Sequence, residues 1–216
     1  PKADLTNLPV KDEFIVLSFG RFVSLKGFDL TIKSFAEFFF KLSKHDQAVV
    51  KLVLVGKGPE KDRYKGLCQA LHIEHAVRFI EWMPQAEVKE LYKKASVFLF
   101  PSHEGAGMVV PEAMSYQLPV VCLKNCGPGE FLHPDSTLAV PYQSYKKTVD
   151  DLQAKLTTLF ADRTFYQIEK QLSAEQFDRR LDWNRKSLFW QHIYNDVLTE
   201  NRSKIKASMP VQTTWS

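Results

Sequence analysis

The chain has 216 residues, of which 44% are hydrophobic, so it can build one large domain or two small ones around a sizeable core. Its net charge of +4 comes from dispersed Lys and Arg residues with no basic run longer than two, which speaks against a nucleic-acid partner. No apolar run approaches the roughly 18 residues that a membrane span needs, and the first residues lack the layout of a signal peptide, so a soluble globular protein is expected.

Short apolar runs alternate with longer segments of helical period over the first 141 residues. The predicted strands are 14–20, 49–56, 77–80, 96–100, 119–123 and 137–141, and the helices between them are 28–43, 60–72, 85–94, 108–117 and 128–133. Because the strands are apolar on both faces, they predict a six-stranded parallel sheet that is covered on both sides. This pattern is typical of a doubly wound, Rossmann-like α/β fold.

Only helical patterns follow the sixth strand, at 145–161, 162–179 and 184–200. Residues 14–200 therefore predict one α/β domain with extra C-terminal helices. The polar segment 201–216 has no periodicity and predicts a flexible tail.

The three cysteines, Cys68, Cys122 and Cys126, are an odd number and form no CxxC pair, and spacings such as HExxH are missing. Free thiols in a reducing compartment are favoured over disulfides or zinc, which predicts a cytoplasmic protein without a bound metal.

The loops that follow the strands are the places to look for a site, because ligands of parallel sheets bind there. The first loop, GRFVSLKG at 20–27, carries Arg21 and Lys26 across one turn. Two cations at this spacing could clamp a diphosphate, with the Arg fork taking two oxygens. A solvated loop with incidental charges is the alternative, and neither a P-loop nor a GxGxxG dinucleotide motif is present.

The second and third loops are less informative. GKGP at 56–59 is at least as consistent with a plain turn as with ligand contact. In EWMPQAE at 81–87, Trp82 and Met83 could form the wall of a flat base site, although core packing is the more frequent fate of such residues.

The fourth loop reads HEGAGMVVPEAM at 103–114. Gly105 and Gly107 let a ligand approach the main chain, and the amides of Gly107, Met108 and Val109 would point outward at the start of a helix. Such an arrangement suits a phosphate or a polyol. The fifth loop, KNCGPGEFL at 124–132, could add further amides or merely turn the chain.

Two acids, Glu104 and Glu112, also belong to this fourth loop and the helix after it. A carboxylate accepts two hydrogen bonds side by side and so matches the vicinal hydroxyls of a sugar or ribose. Next to a phosphate both acids would be repelled unless Arg21 and Lys26 offset them. The alternative is helix capping by glutamate at an N-terminus.

In this order, GRFVSLKG, LVGKGP, VRFIEWMP and PSHEGAGMVVPEAMSYQLPVV resemble the motifs of the C-terminal, donor-binding domain of GT-B glycosyltransferases of family 4 (glycosyl transferases group 1), a retaining family. The resemblance covers residues 14–141. It implies that Arg21, Lys26 and Glu104 are catalytic. The two cations would hold the diphosphate of a nucleotide-sugar and offset the charge of the departing nucleotide, while Glu104 would hold the transferred sugar. No cofactor and no metal are expected, since the cations and a helix dipole replace the metal.

The resemblance also implies a set of residues that bind the nucleotide-sugar. Glu112 would take the two ribose hydroxyls, and Met83 would meet the base through its backbone. The full predicted set is Gly20, Met83, Gly105, Gly107, Met108, Val109 and Glu112.

Three positions depart from the family pattern: Ala106 replaces the usual Phe, Glu81 a frequent Gly, and Gln117 a usual Gly. Ala106 would enlarge the sugar pocket. A hexose-type sugar carried by UDP or GDP is expected, and the identity of this sugar is left undetermined.

The resemblance further implies an N-terminal acceptor-binding domain that this chain lacks, with residues 1–13 as the linker to it. The isolated chain should therefore bind the donor without transferring it. The acceptor, a glycan or a lipid-linked glycan, and a peripheral membrane position of the full-length protein are left open. A nucleotide-sugar binding module without catalysis is the alternative function.

Overall fold

The structure, a computed structural model, describes residues 13–125 and 127–208, with side chains described up to residue 199. Six parallel strands form one sheet with the order β3-β2-β1-β4-β5-β6, which confirms the predicted doubly wound α/β fold. The strands are β1 (Phe14–Phe19), β2 (Val50–Val55), β3 (Val77–Ile80), β4 (Val97–Phe100), β5 (Val120–Leu123) and β6 (Ala139–Val140).

Helices connect and flank these strands. They are α1 (Phe28–Lys41), α2 (Lys44–Val49), α3 (Lys61–Ala70), α4 (Gln85–Lys94), α5 (Val109–Ser115), α6 (Pro128–Phe131), α7 (Tyr145–Ala161), α8 (Arg163–Gln176) and α9 (Trp183–Ser208). Short 3-10 turns lie at Ser24–Lys26 and Glu74–Ala76, and a π-helical turn lies at Phe177–Leu181.

The topology places a crevice at the carboxyl ends of β1 and β4. In β1, Val16 pairs with Leu52 of β2 on one side and with Val97 of β4 on the other. The chain first proceeds from β1 outward through β2 and β3, then returns to start the second half of the sheet at β4. The loops after β1 and β4 therefore diverge, and this switch point is where open α/β sheets bind ligands.

Aromatic side chains fill the core beside β1. In α1, Phe35, Phe38 and Phe39 are fully buried, and the ring of Phe14 lies 6.2 Å from Phe38 and 5.2 Å from Phe160 of α7. Each buried aromatic side chain removes a large apolar surface from water, which is the main stabilising contribution to such a core. The rigid sheet that results holds the loops at its carboxyl edge.

The observed helices differ from the predicted ones mainly in one additional short helix and in the length of the last helix. The sequence prediction missed α2, where the Ser43 side chain accepts a hydrogen bond from the Asp46 amide at 3.1 Å, because six residues are too few to show a helical period. The last helix extends to Ser208, so residues 201–208 of the predicted tail are helical. Residues 1–12, which include most of the predicted linker, and residues 209–216 lie outside the described residues.

Cys68 and Cys122 are free and buried, whereas Cys126 lies outside the described residues. Burial raises the pKa of both buried thiols to about 12. None of the described helices combines the length and the apolar character that crossing a membrane requires.

Candidate functional site

The loop after β1 is fastened to the loop after β4. Gly27 has a φ of 67°, and a Cβ added to it would lie 2.1 Å from the carbonyl oxygen of Pro101, so this position accepts no side chain. The backbone carbonyl of Leu25 accepts hydrogen bonds from the amide of His103 at 2.9 Å and from the hydroxyl of Ser102 at 3.3 Å. These contacts fix the first loop relative to the fourth.

An ion pair between Lys26 and Glu104 joins the same two loops. Their side chains are 15% and 18% exposed, so the pair is shielded from most of the solvent. The ammonium of Lys26 also lies 5.5 Å from the centre of the Phe100 ring at the end of β4. The free protein thus offsets the charge of Glu104 with one of the two cations that the sequence assigned to the diphosphate.

Arg21, the other cation, is exposed and forms no ion pair or side-chain hydrogen bond with the described residues. It lines an open pocket of about 340 Å³, together with Gly20 of the same loop and with Met83 and Val109. This volume lies in the range of small-molecule sites. The free guanidinium at the wall of an apolar pocket can bind an anionic group of a ligand whose flat part fills the pocket.

The third loop supplies another wall of this pocket. Trp82 lines it and is 61% exposed, whereas Met83 is only 6% exposed and packs into the core. Glu81, where the sequence departs from the family pattern, also lines the pocket and pairs with Lys61 of α3. The exposed indole offers a flat apolar face on which a base could stack.

Glu112 is exposed in α5, and the phenol of Tyr92 donates a hydrogen bond to its Oε2 at 3.3 Å. The Tyr92 ring is stacked on Phe19 at 5.3 Å and on Tyr116 at 5.2 Å. Burial, together with the nearby Glu112 carboxylate, raises the pKa of Tyr92 well above its usual value. The phenol therefore stays a neutral donor and fixes the orientation of the carboxylate. No sequence pattern had linked Tyr92 to Glu112, because the two lie on different helices.

Gly107 begins the turn that leads into α5. Its φ is 60°, and an added Cβ would lie 2.9 Å from the side chain of Pro128 and 3.5 Å from Glu104 Oε1. Among the described residues, no group accepts a hydrogen bond from the amides of Gly107, Met108 and Val109. These three donors are available to a ligand beside the Glu104 carboxylate, as the sequence predicts for the start of a helix.

The residues that the sequence predicts for the donor site lie in several neighbouring parts of the structure. Gly20, Arg21, Met83 and Val109 line the open pocket. Lys26 is held by Glu104, and Glu112 is held by Tyr92. Met108 and Ala106 are exposed. Gly105, in contrast, lines a second pocket, formed with the fifth loop and the segment between α8 and α9.

The sequence is similar to a known protein family and to several known proteins. The family model described as "Glycosyl transferases group 1" matches residues 4–176. An uncharacterized glycosyltransferase of Haemophilus influenzae is 37% identical over 131 residues, which are 60% of this chain and 34% of that protein. The matched stretches span 26% to 50% of the length of the curated relatives, so the chain covers about half of them or less.

Solved structures share the same architecture. The sucrose-phosphate synthase of Thermosynechococcus elongatus matches with a TM-score of 0.71 and 26% identity, over 90% of this chain and 47% of that one. The Anabaena protein HepE, in complex with UDP and glucose, matches with a TM-score of 0.68 and 20% identity, over 87% of this chain and 49% of that one.

Proposed function

The chain belongs to the glycosyl transferases group 1 family, and we propose that it is the donor-binding half of a retaining glycosyltransferase that moves a hexose-type sugar from a nucleoside diphosphate to an acceptor. The observation that carries the proposal is the convergence of three features at the carboxyl ends of β1 and β4. These are an open pocket with the cation Arg21, the Lys26–Glu104 pair, and the amides at 107–109, and neither Arg21 nor these amides have a partner among the residues that the structure describes.

In this proposal the base and ribose occupy the open pocket. The base lies against Trp82 and meets the backbone of Met83. The ribose hydroxyls bind to the Glu112 carboxylate, which is not among the described residues of the pocket wall but is linked to it through Tyr92, whose ring stacks on the pocket residue Phe19. The carboxylate accepts two hydroxyl hydrogen bonds side by side, which explains the use of an acid close to an anionic ligand. The HepE complex with UDP and glucose supports this ligand class, because that protein has the same fold.

The diphosphate would lie between Arg21, Lys26 and the amides of Gly107, Met108 and Val109. As the bond between sugar and phosphate breaks, negative charge accumulates on the departing nucleotide, and fixed cations and amide dipoles stabilise it. Lys26 would exchange its Glu104 partner for a phosphate oxygen, which frees Glu104 to accept hydroxyl hydrogen bonds from the sugar. Side chains and dipoles thus supply the charge compensation without a metal.

Binding of the acceptor is proposed to need a second domain in addition to this chain. Because the chain covers about half of its curated relatives or less, we assign acceptor binding, to a glycan or a lipid-linked glycan, to a separate N-terminal domain. This chain alone would bind the donor and leave it intact.

A thermal-shift panel of nucleoside diphosphates and their sugar conjugates tests the proposal, since a ligand that binds only the native state raises the melting temperature. At 100 times the dissociation constant, binding adds about 2.7 kcal/mol to the free energy of unfolding. We expect UDP or GDP to raise the melting temperature, equally with and without EDTA. The proposal is wrong if no nucleoside diphosphate in the panel shifts it at millimolar concentration.

A further inference from the structure

A second pocket, of about 330 Å³, lies where the fourth and fifth loops meet the segment between α8 and α9. Its wall includes Gly105 of the fourth loop, Gly127 and Glu130 of the fifth, and Gln176, Arg180 and Lys186 of the C-terminal segment. The proposed donor site accounts for only one of these residues, Gly105.

The charges of this pocket favour an anion. Among the described residues of the lining, Arg180 and Lys186 are the cations and Glu130 is the acid, which gives these residues one net positive charge. Neither cation forms an ion pair or a side-chain hydrogen bond with any side chain that the structure describes. The ammonium of Lys186 lies 5.1 Å from the centre of the Trp183 ring, which holds it as a cation–π partner but supplies no negative charge. A cleft lined by two such cations attracts an anion and can bind it through charge-assisted hydrogen bonds.

The fold holds the turn that carries Arg180 in place. The amide of Asp182 donates to the carbonyl of Phe177 at 2.9 Å, which closes a π-helical turn, a rare feature that is frequent at functional sites. Before the turn, the nearly fully buried Gln176 donates to the carbonyl of Leu132 at 3.1 Å. At its end, Leu181 is buried in the core. These contacts fix the backbone of the turn from which the exposed side chain of Arg180 lines the pocket.

The pocket is open beside the loop that carries Glu104. A Cβ added to Gly105 would meet no atom within 4 Å, so the lack of a side chain at 105 keeps this space free. A Cβ added to Gly127 would lie 2.5 Å from the carbonyl oxygen of Gly105, which shows that the fourth and fifth loops touch through their backbones. A ligand in this pocket would therefore contact the fourth loop without occupying the open pocket beside Arg21.

We propose that this second pocket binds a phosphate group through Arg180 and Lys186, at a site separate from the one assigned to the donor diphosphate. The planar fork of Arg180 suits two phosphate oxygens, and Lys186 adds a point charge. The ligand is either free inorganic phosphate or the phosphate of a phosphorylated sugar, for which the volume leaves room.

Amide chemical shifts of the full chain, followed by NMR, test this proposal. Inorganic phosphate, glucose 6-phosphate and glucose are titrated at constant ionic strength in the presence of UDP, which occupies the proposed donor site. We expect saturable shifts of the amides of Gly105, Gly127 and Leu181 with both phosphates and none with glucose. Tighter binding of glucose 6-phosphate identifies a phosphorylated sugar as the ligand, and equal binding identifies the free anion.

Four variants assign the effect to the pocket. Arg180→Gln and Lys186→Gln should each weaken phosphate binding about tenfold or more, since each removes a charge-assisted hydrogen bond. Glu130→Gln should strengthen binding, because it removes a negative charge from the described lining of the pocket. Arg179→Gln is the matched control, as Arg179 is exposed and is not among the described residues of the pocket wall, and it should leave the affinity unchanged.

Shifts that do not saturate, or that persist equally in Arg180→Gln and Lys186→Gln, would overturn the proposal. So would an equal loss in Arg179→Gln, which would indicate nonspecific attraction by surface charge. The amides of Arg21 and Met83 report UDP binding in the same spectra. If UDP leaves the amides of Arg21 and Met83 unshifted, the donor assignment fails, and this result is independent of whether phosphate shifts the amides of the second pocket.

Discussion

Lys26 and Glu104 lie 78 residues apart in the sequence and form an ion pair between the loops that follow β1 and β4. In the free protein, this pair occupies the ammonium that the proposed function assigns to the donor diphosphate. Binding of the donor should therefore move the Lys26 ammonium from the Glu104 carboxylate to a phosphate oxygen. Substitutions of Glu104 and of Lys26 should then change donor affinity in opposite directions.

Replacing Glu104 by Gln should strengthen the binding of the nucleoside diphosphate severalfold, because it frees Lys26 and removes a repulsion of about 1 kcal/mol or more. The matching sugar conjugate should gain less, since the sugar loses its anionic acceptor. Calorimetry with both ligands measures the difference. Glu90→Gln is the control, as Glu90 is an exposed acid that pairs with Lys93 on α4. Weaker binding of the diphosphate by Glu104→Gln would refute the proposed exchange.

Glu112→Gln should reduce the preference for ribose over deoxyribose, because the neutral amide is a poorer acceptor for two adjacent hydroxyls. Tyr92→Phe should cause a smaller reduction, since it removes only the phenol that donates to Glu112 at 3.3 Å. Comparing UDP with its 2′-deoxy counterpart in each variant measures this preference. If Glu112→Gln keeps the full preference, Glu112 does not bind the ribose.

Much of the fold could be predicted from the sequence, because strands such as VVCL in β5 are buried on both faces and recur between helical segments. The sequence also predicts that the loops carrying Arg21 and Glu104 act together, because acids beside a phosphate need nearby cations, and the structure places both loops at the switch point between β1 and β4. The direct Lys26–Glu104 pair and the Tyr92–Glu112 hydrogen bond could not be predicted, because they depend on how far the loops approach each other in space. The predicted helix 162–179 includes the first three residues of the π-helical turn at Phe177–Leu181, because one extra residue in a single turn is too small a departure from the helical period to be visible in the sequence.

Gly27→Ala should lower the free energy of unfolding by about 2 to 4 kcal/mol, because alanine resists a positive φ and its Cβ would overlap the Pro101 carbonyl. Gly66→Ala is the matched control. Gly66 lies in α3, where a Cβ would meet nothing within 4 Å, so alanine should stabilise the protein by about 0.5 to 1 kcal/mol. Urea unfolding of both variants measures the two effects. An equal, small effect of both changes would show that the loops after β1 and β4 do not need the close approach at Gly27.

The buried thiols predict a loss of stability at alkaline pH. Their pKa is raised from 9.0 to about 12 in the folded protein, so the unfolded state loses these protons first. Each thiol's contribution is complete below pH 9 and falls between pH 9 and about 12, by about 1.4 kcal/mol per pH unit. Cys122→Ala should reduce this slope, as seen in urea unfolding over that pH range. An unchanged slope would show that the Cys122 thiol ionises equally in both states.

The most direct test of the donor assignment is calorimetry of the nucleoside diphosphate that gives the largest thermal shift, with wild type, Arg21→Ala and Lys26→Ala. Each variant should lose roughly 1 to 3 kcal/mol of binding free energy, the range for hydrogen bonds to charged groups. Arg63→Ala is the control. Arg63 is an exposed arginine of α3 that pairs with Glu60, and it is not among the described residues that line the open pocket. Weaker binding in both variants with an unchanged control is the predicted result, and unchanged affinity in both variants would contradict the diphosphate site.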